Sequence, residues 1–113
     1  MSDADLDLLR GTLDLMILKA LSWGPKHGLA VLRWIEETTQ DTLQIEEGAL
    51  YPSLHRMEQR GWLEAEWGVT ERNRKAKFYR LTAMGRRKLA SEVSKWTRYS
   101  RAVGLVVAAR ATP

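Results

Sequence analysis

A proline inside a helical pattern constrains the chain more than any other feature. In "EEGALYPSLHRMEQRG", Glu46 to Gly61, Leu50, Leu54 and Met57 recur at helical spacing and form one apolar edge. A proline deep in a helix loses a backbone bond and crowds the preceding turn, at about 3 kcal/mol or more. The cost shrinks near the N-terminus, where the first N–H groups have no helical partner. Regular helix is therefore expected to begin around Gly48 to Leu50 and to stop at Gly61, a C-cap just after Arg60. Such a helix carries Tyr51 and Pro52 in its first turn and His55, Arg56 and Gln59 along its exposed side.

Two strands follow. "WLEAEWGV" alternates apolar and polar residues as a half-buried strand does, and "KFYRL" is a second β-prone run. "TERNRKA" between them is polar enough to be a hairpin tip. Upstream, "LLRGTLDLMILKALS" has a helical stripe at positions 9, 13, 16, 17 and 20, with Leu8, Leu15 and Leu18 adding apolar surface on the other side. A helix apolar nearly all round is covered on more than one side, here by a second subunit. "WGPKHG" breaks that helix, and Val31, Leu32 and Ile35 mark the next one, which fades into "QDT". After the hairpin, Thr82 is placed as N-cap of one long helix. Leu89, Val93, Trp96, Ser100, Val103 and Val107 run along it in steps of four and three, a coiled-coil-like seam.

The fold class is mainly α with a small two-stranded β-hairpin. Residues 1–82 are expected to form one compact unit, with 1–7 disordered, and residues 83–113 a terminal helix. In a chain of 113 residues that helix has little left to pack on, so its seam is assigned to a second copy: a homodimer through Leu8, Leu15, Leu89, Val93, Trp96, Val103 and Val107.

Charge points to the partner. The chain has 18 bases and 14 acids, a net +4, and five of the bases (Arg72, Arg74, Lys75, Lys77 and Arg80) stand against Glu71 alone between Thr70 and Arg80. That stretch equals the whole excess, and a localised basic patch attracts polyanions better than diffuse charge. Catalysis is not supported. His27 and His55 are the only histidines, on different helices, and Ser53 points away from His55. No acid completes a triad, and "GPKHG" lacks the form of a phosphate loop. Without cysteine there is no disulfide, thiolate nucleophile or cysteine metal site, and no histidine–carboxylate metal cluster or cofactor motif stands out. No apolar run approaches the roughly 18–20 residues a membrane span needs, and the acidic "MSDADLDLLRG" lacks the order of a secretory signal. The expected location is cytoplasmic.

Three helices followed by a hairpin is the order of a winged helix-turn-helix, whose third helix enters the major groove while the hairpin tip reaches adjacent backbone. His55, Arg56 and Gln59 can donate to base edges or phosphates, and bases around a hairpin suit phosphates. At this point the chain resembles the PadR-type transcriptional regulators of bacteria, over about residues 8 to 110. "LLRGTLDLMILKAL" looks like that family's opening helix. "GALYPSLHRMEQRGWLEAEW" is similar to its recognition-helix pattern at Leu50, Tyr51, Pro52, Leu54 and Gly61. "KFYRLTAMG" resembles its second wing strand at Lys77, Tyr79, Leu81, Thr82 and Gly85.

The resemblance implies a homodimeric, sequence-specific repressor of the compact kind, binding double-stranded DNA at a palindromic operator. It places Tyr51, Pro52, His55, Arg56, Gln59, Arg72, Arg74, Lys75 and Lys77 at the DNA, and swaps the last helix against the partner's first. Some members release DNA when a flat apolar compound binds near the dimer interface, so Trp96 is either plain interface packing or a wall of such an effector pocket. Glu46 and Glu47 depart from the family's pattern and are expected to turn aside or cap the helix. The alternative is a winged-helix protein-interaction module that does not read DNA.

Overall fold

The computed structural model describes residues 3–112, without the side chains of residues 3–8 and 10. Among the described residues, four α-helices and three strands follow in order: α1 Asp3–Ala20, β1 Lys26–His27, α2 Gly28–Thr38, α3 Glu47–Gln59, β2 Leu63–Val69, β3 Lys75–Leu81 and α4 Ala83–Ala108, with one 3-10 turn at Leu21–Trp23 after α1. α1 starts at Asp3, ahead of the expected Leu8.

The core is the meeting of α1, α2 and α3 with the root of the hairpin. Ile17, Leu18, Leu21, Val31, Ile35, Leu50, Leu54, Met57 and Leu63 are almost fully buried there. Burying each such side chain is worth about 1.5–3 kcal/mol. Leu18 belongs to this core and not to a face awaiting a second subunit: it packs within its own chain. Leu15 is half-buried, and the side chain of Leu8, assigned to the dimer interface, lies outside the described residues.

The hairpin is joined by a third strand. β1 pairs antiparallel with β3, Lys26 opposite Tyr79 and His27 opposite Phe78, giving the sheet order β1-β3-β2. A two-residue strand has no periodicity, so "WGPKHG" reads only as a turn. His27 is also the N-cap of α2: its Nδ1 accepts the N–H of Ala30 at 3.4 Å, and its ring stands edge-on to Phe78.

The end of α3 is closed as its glycine requires. Gly61 has φ +79°, its N–H donates to the Glu58 carbonyl, and the Trp62 N–H donates to that of Met57, each at 3.0 Å. This left-handed termination turns the chain directly into β2. The start of α3 is earlier than expected. The helix begins at Glu47, so Pro52 stands in the second turn, where it cannot donate to the Gly48 carbonyl one turn back.

Thr82 caps α4, accepting the Gly85 N–H on its Oγ1 at 3.0 Å and donating to the Gly61 carbonyl at 2.6 Å. α4 lies against α1 and β3. Leu89 consequently packs against the chain's own core instead of lying open on the seam. Beyond it the helix leaves the body: Val93, Trp96 and Val103 are 41%, 46% and 42% exposed, and Val107 is more so. At 1.5 Å per residue its 26 residues span about 39 Å, within a molecule 65 Å in its longest dimension.

Candidate nucleic-acid interface

α3 divides its residues cleanly. Leu50, Ser53, Leu54 and Met57 point into the core, and Gly48, Pro52, His55 and Gln59 are exposed on the opposite side. This follows from the 100° step per residue, which sets 48, 52, 55 and 59 within one narrow arc. Tyr51 flanks that arc toward α2. Its ring lies so close over Gly28 that a Cβ there would stand 2.6 Å from Cε1. Burial, then Glu47 and Tyr79, raises the Tyr51 hydroxyl above its ordinary pKa. On the other flank, one guanidinium nitrogen of Arg56 reaches both carboxylate oxygens of Asp14 in α1, at 2.6 and 2.7 Å.

Glu46 and Glu47 are both exposed. Glu46 does not cap the helix with its side chain; its carbonyl instead accepts the N–H groups of Ala49 and Leu50. Glu47 lies in the first turn, where a carboxylate complements the positive end of the helix.

The hairpin register sorts the cations. Leu63, Ala65, Trp67 and Val69 stand opposite Leu81, Tyr79, Lys77 and Lys75, on the face that is buried at the root. Toward the tip this face emerges from the core as Trp67, Val69, Lys75 and Lys77. Trp67 is 63% exposed, with Lys75 Nζ 5.1 Å from its ring, a cation–π contact. Lys77 Nζ meets Glu58 of α3 at 3.3 Å and so ties the hairpin to α3. Arg80 points to the other face and pairs with Glu64. The basic block of the sequence is therefore not one patch. Arg72, Arg74 and Lys75 are exposed at the tip, while Lys77 and Arg80 hold acidic partners.

The tip itself is a tight turn. The Thr70 N–H donates to the Arg74 carbonyl at 2.8 Å, the Asn73 N–H to the Thr70 carbonyl at 2.9 Å, and Asn73 adopts φ +58°. Asparagine tolerates that left-handed conformation better than most residues.

The sites expected from sequence thus lie on two adjoining surfaces: Tyr51, Pro52, His55 and Gln59 on α3, and Arg72, Arg74, Lys75 and Lys77 on the hairpin, with Arg56 at the edge facing α1. Two residues were not anticipated. Trp67 follows from the alternation of its strand once the strand is seen to outrun the core. Asp14 lies 42 positions from Arg56 and gives no local signal. Charge outside the hairpin is also unevenly spread: residues 83–113 hold seven bases against Glu92, whereas residues 1–69 hold six bases against twelve acids.

Three core helices, a capping sheet and a cationic hairpin beside the third helix define the winged helix-turn-helix class. Within that class, the model of the transcriptional regulator PadR-like family matches residues 17–91, more than half of the chain, and the chain belongs to that family of transcriptional regulators. It is similar to an uncharacterised protein of Lysinibacillus sphaericus, 30% identical over 88% of this chain and 91% of that one. Among solved structures it resembles a PadR family transcriptional regulator from Eggerthella lenta, with 30% identity, TM-score 0.80, and 95% and 91% of the two chains covered. A PadR-like regulator from Bacillus cereus shares the fold at 23% identity, with TM-score 0.79 over 92% of this chain and 99% of that one. Among the described residues, no helix is long and apolar enough to cross a membrane.

Proposed function

We propose that the protein is a homodimeric, cytoplasmic repressor that reads a palindromic DNA operator with α3 and grips the flanking phosphates with its hairpin. The observation that carries this reading is the exposed arc of Pro52, His55 and Gln59 beside a wing that offers Arg72, Arg74 and Lys75, the two joined through Lys77 and Glu58. Donors on a recognition helix read base edges, and cations on a wing collect affinity from phosphates by counterion release.

Dimerisation is supported by α4. Val93, Trp96, Val103 and Val107 form a stripe that the chain's own body leaves uncovered. An apolar stripe spaced in threes and fours is the seam of a helix pair. Trp96, about half exposed on that stripe, is the residue best placed to meet a small aromatic effector in the dimer.

Selection of bound fragments from genomic DNA tests this directly. Recovered fragments should share an inverted repeat with half-sites one helical turn, about 10–10.5 bp, or a multiple apart. Failure to bind any duplex at low salt would instead favour a winged-helix protein-interaction module.

A further inference from the structure

The Asp14–Arg56 contact joins the flank of the recognition helix to α1. Its geometry is tight, but the side chains are 42% and 33% exposed. An ion pair so open to water adds little net stability. Exchanging the carboxylate for another anion is correspondingly cheap. The contact engages one guanidinium nitrogen, whereas an arginine carries five N–H donors on three nitrogens, and it recognises phosphate as readily as carboxylate. Asp14 also sets a negative charge beside the exposed arc that carries His55 and Gln59.

We propose that Asp14 is a specificity-determining residue. It holds Arg56 as a stand-in for DNA phosphate and releases it only when operator docking brings a phosphate into reach. This rests on the DNA-reading function proposed above. On arbitrary sequence Arg56 remains with Asp14, so general affinity is kept low. On the operator, α3 seats deeply enough for a phosphate oxygen to replace the carboxylate. Asp14 thereby widens the gap between specific and non-specific binding without itself touching a base.

Fluorescence anisotropy with a random-sequence duplex and a duplex recovered by selection, each over a salt series, tests the exchange. Each phosphate contact steepens log K against log salt by about 0.9. Asp14→Asn should steepen the random-duplex slope by about 0.9 and leave the selected-duplex slope unchanged. Arg56→Gln should do the reverse: no change on random duplex, and a slope shallower by about 0.9 on the selected one. The double variant should return the random-duplex slope to the wild-type value. If Asp14→Asn leaves the random-duplex slope unchanged while its melting temperature falls, the pair is only a brace and the proposal is overturned. Should Asp14→Asn fail to fold, the Arg56→Gln comparison decides: equal slopes to wild type on both duplexes also overturn it. Wild-type protein that binds neither duplex would refute the DNA-reading function itself, an outcome distinct from both.

Discussion

Gly85 is the position where a single methyl group should do the most damage. It lies in the first turn of α4, where the helix rides on the chain between α3 and β2. A Cβ at this residue would stand 2.0 Å from the carbonyl oxygen of Trp62 and 3.0 Å from its carbon. The obstacle is backbone, and it is fixed by the left-handed turn at Gly61. Restoring a separation of at least 3.0 Å requires the helix start to lift by about 1 Å. That movement would break two bonds: Thr82 Oγ1 to the Gly61 carbonyl, and the Thr82 N–H to the Trp62 carbonyl at 3.1 Å.

Each such bond is worth about 0.5–1.5 kcal/mol net, and overpacking costs about 1–3 kcal/mol. Alanine recovers about 1 kcal/mol of helix propensity over glycine. The balance is a loss of roughly 3 kcal/mol for Gly85→Ala, which at about 4–8 °C per kcal/mol is a fall in Tm of roughly 12–24 °C. Thermal unfolding by circular dichroism at fixed protein concentration measures it. Gly48→Ala is the control, because it is also a first-turn helical glycine and nothing lies within 4 Å of a Cβ there; without a clash it should match wild type or gain up to about 1 kcal/mol. Equal melting temperatures for the two variants would refute the reasoning.

Three further outcomes are expected. Val93→Asp or Val103→Asp sets an unpaired carboxylate on the α4 stripe and should yield monomers by light scattering; a dimer surviving both changes would misplace the seam. Gln40 adopts φ +51° in the turn between α2 and α3, a conformation costing an ordinary L-residue about 1–2 kcal/mol, so Gln40→Gly should raise Tm by a few degrees, and a lowered Tm would contradict that strain. Tyr79 is buried, and burial pushes its hydroxyl above the ordinary tyrosine pKa of 10.0, against the opposing pull of Lys77. With a folded pKa above the unfolded one, its contribution to stability is complete below pH 10 and is lost as the pH rises through the folded pKa. Denaturation across pH 9–12 should show that loss in the wild type and a flatter limb in Tyr79→Phe; identical limbs would exclude the assignment.

The elements most legible in the sequence are those whose boundaries have a local chemical cause. Gly61 stops α3 because the turn into β2 needs a left-handed residue. Thr82 starts α4 because its hydroxyl can meet the N–H of Gly85. The alternation of "WLEAEWGV" is a strand because its apolar half lies on the core at Leu63 and Ala65. What stayed hidden depends on residues remote in the chain. β1 exists only because β3 lies alongside it. Leu89 satisfies the seam spacing as well as Val93 does, but it packs against the chain's own core. Among the site residues, α3 shows its outward arc plainly in the periodicity. The sorting of the hairpin cations into exposed Arg72, Arg74 and Lys75 and acid-paired Lys77 and Arg80 needs the strand register.

The salt dependence of duplex binding bears on all of this at once. The affinity of wild type and of a variant with Arg72, Arg74 and Lys75 changed to Ala should be measured on one selected fragment between about 50 and 200 mM salt. The wild type should show a steep linear fall of log K with log salt, and the triple variant a slope shallower by roughly 2.7, about 0.9 for each phosphate contact removed. A wild-type affinity indifferent to salt, or a triple variant with an unchanged slope, would contradict a wing that holds the DNA backbone while α3 reads the groove.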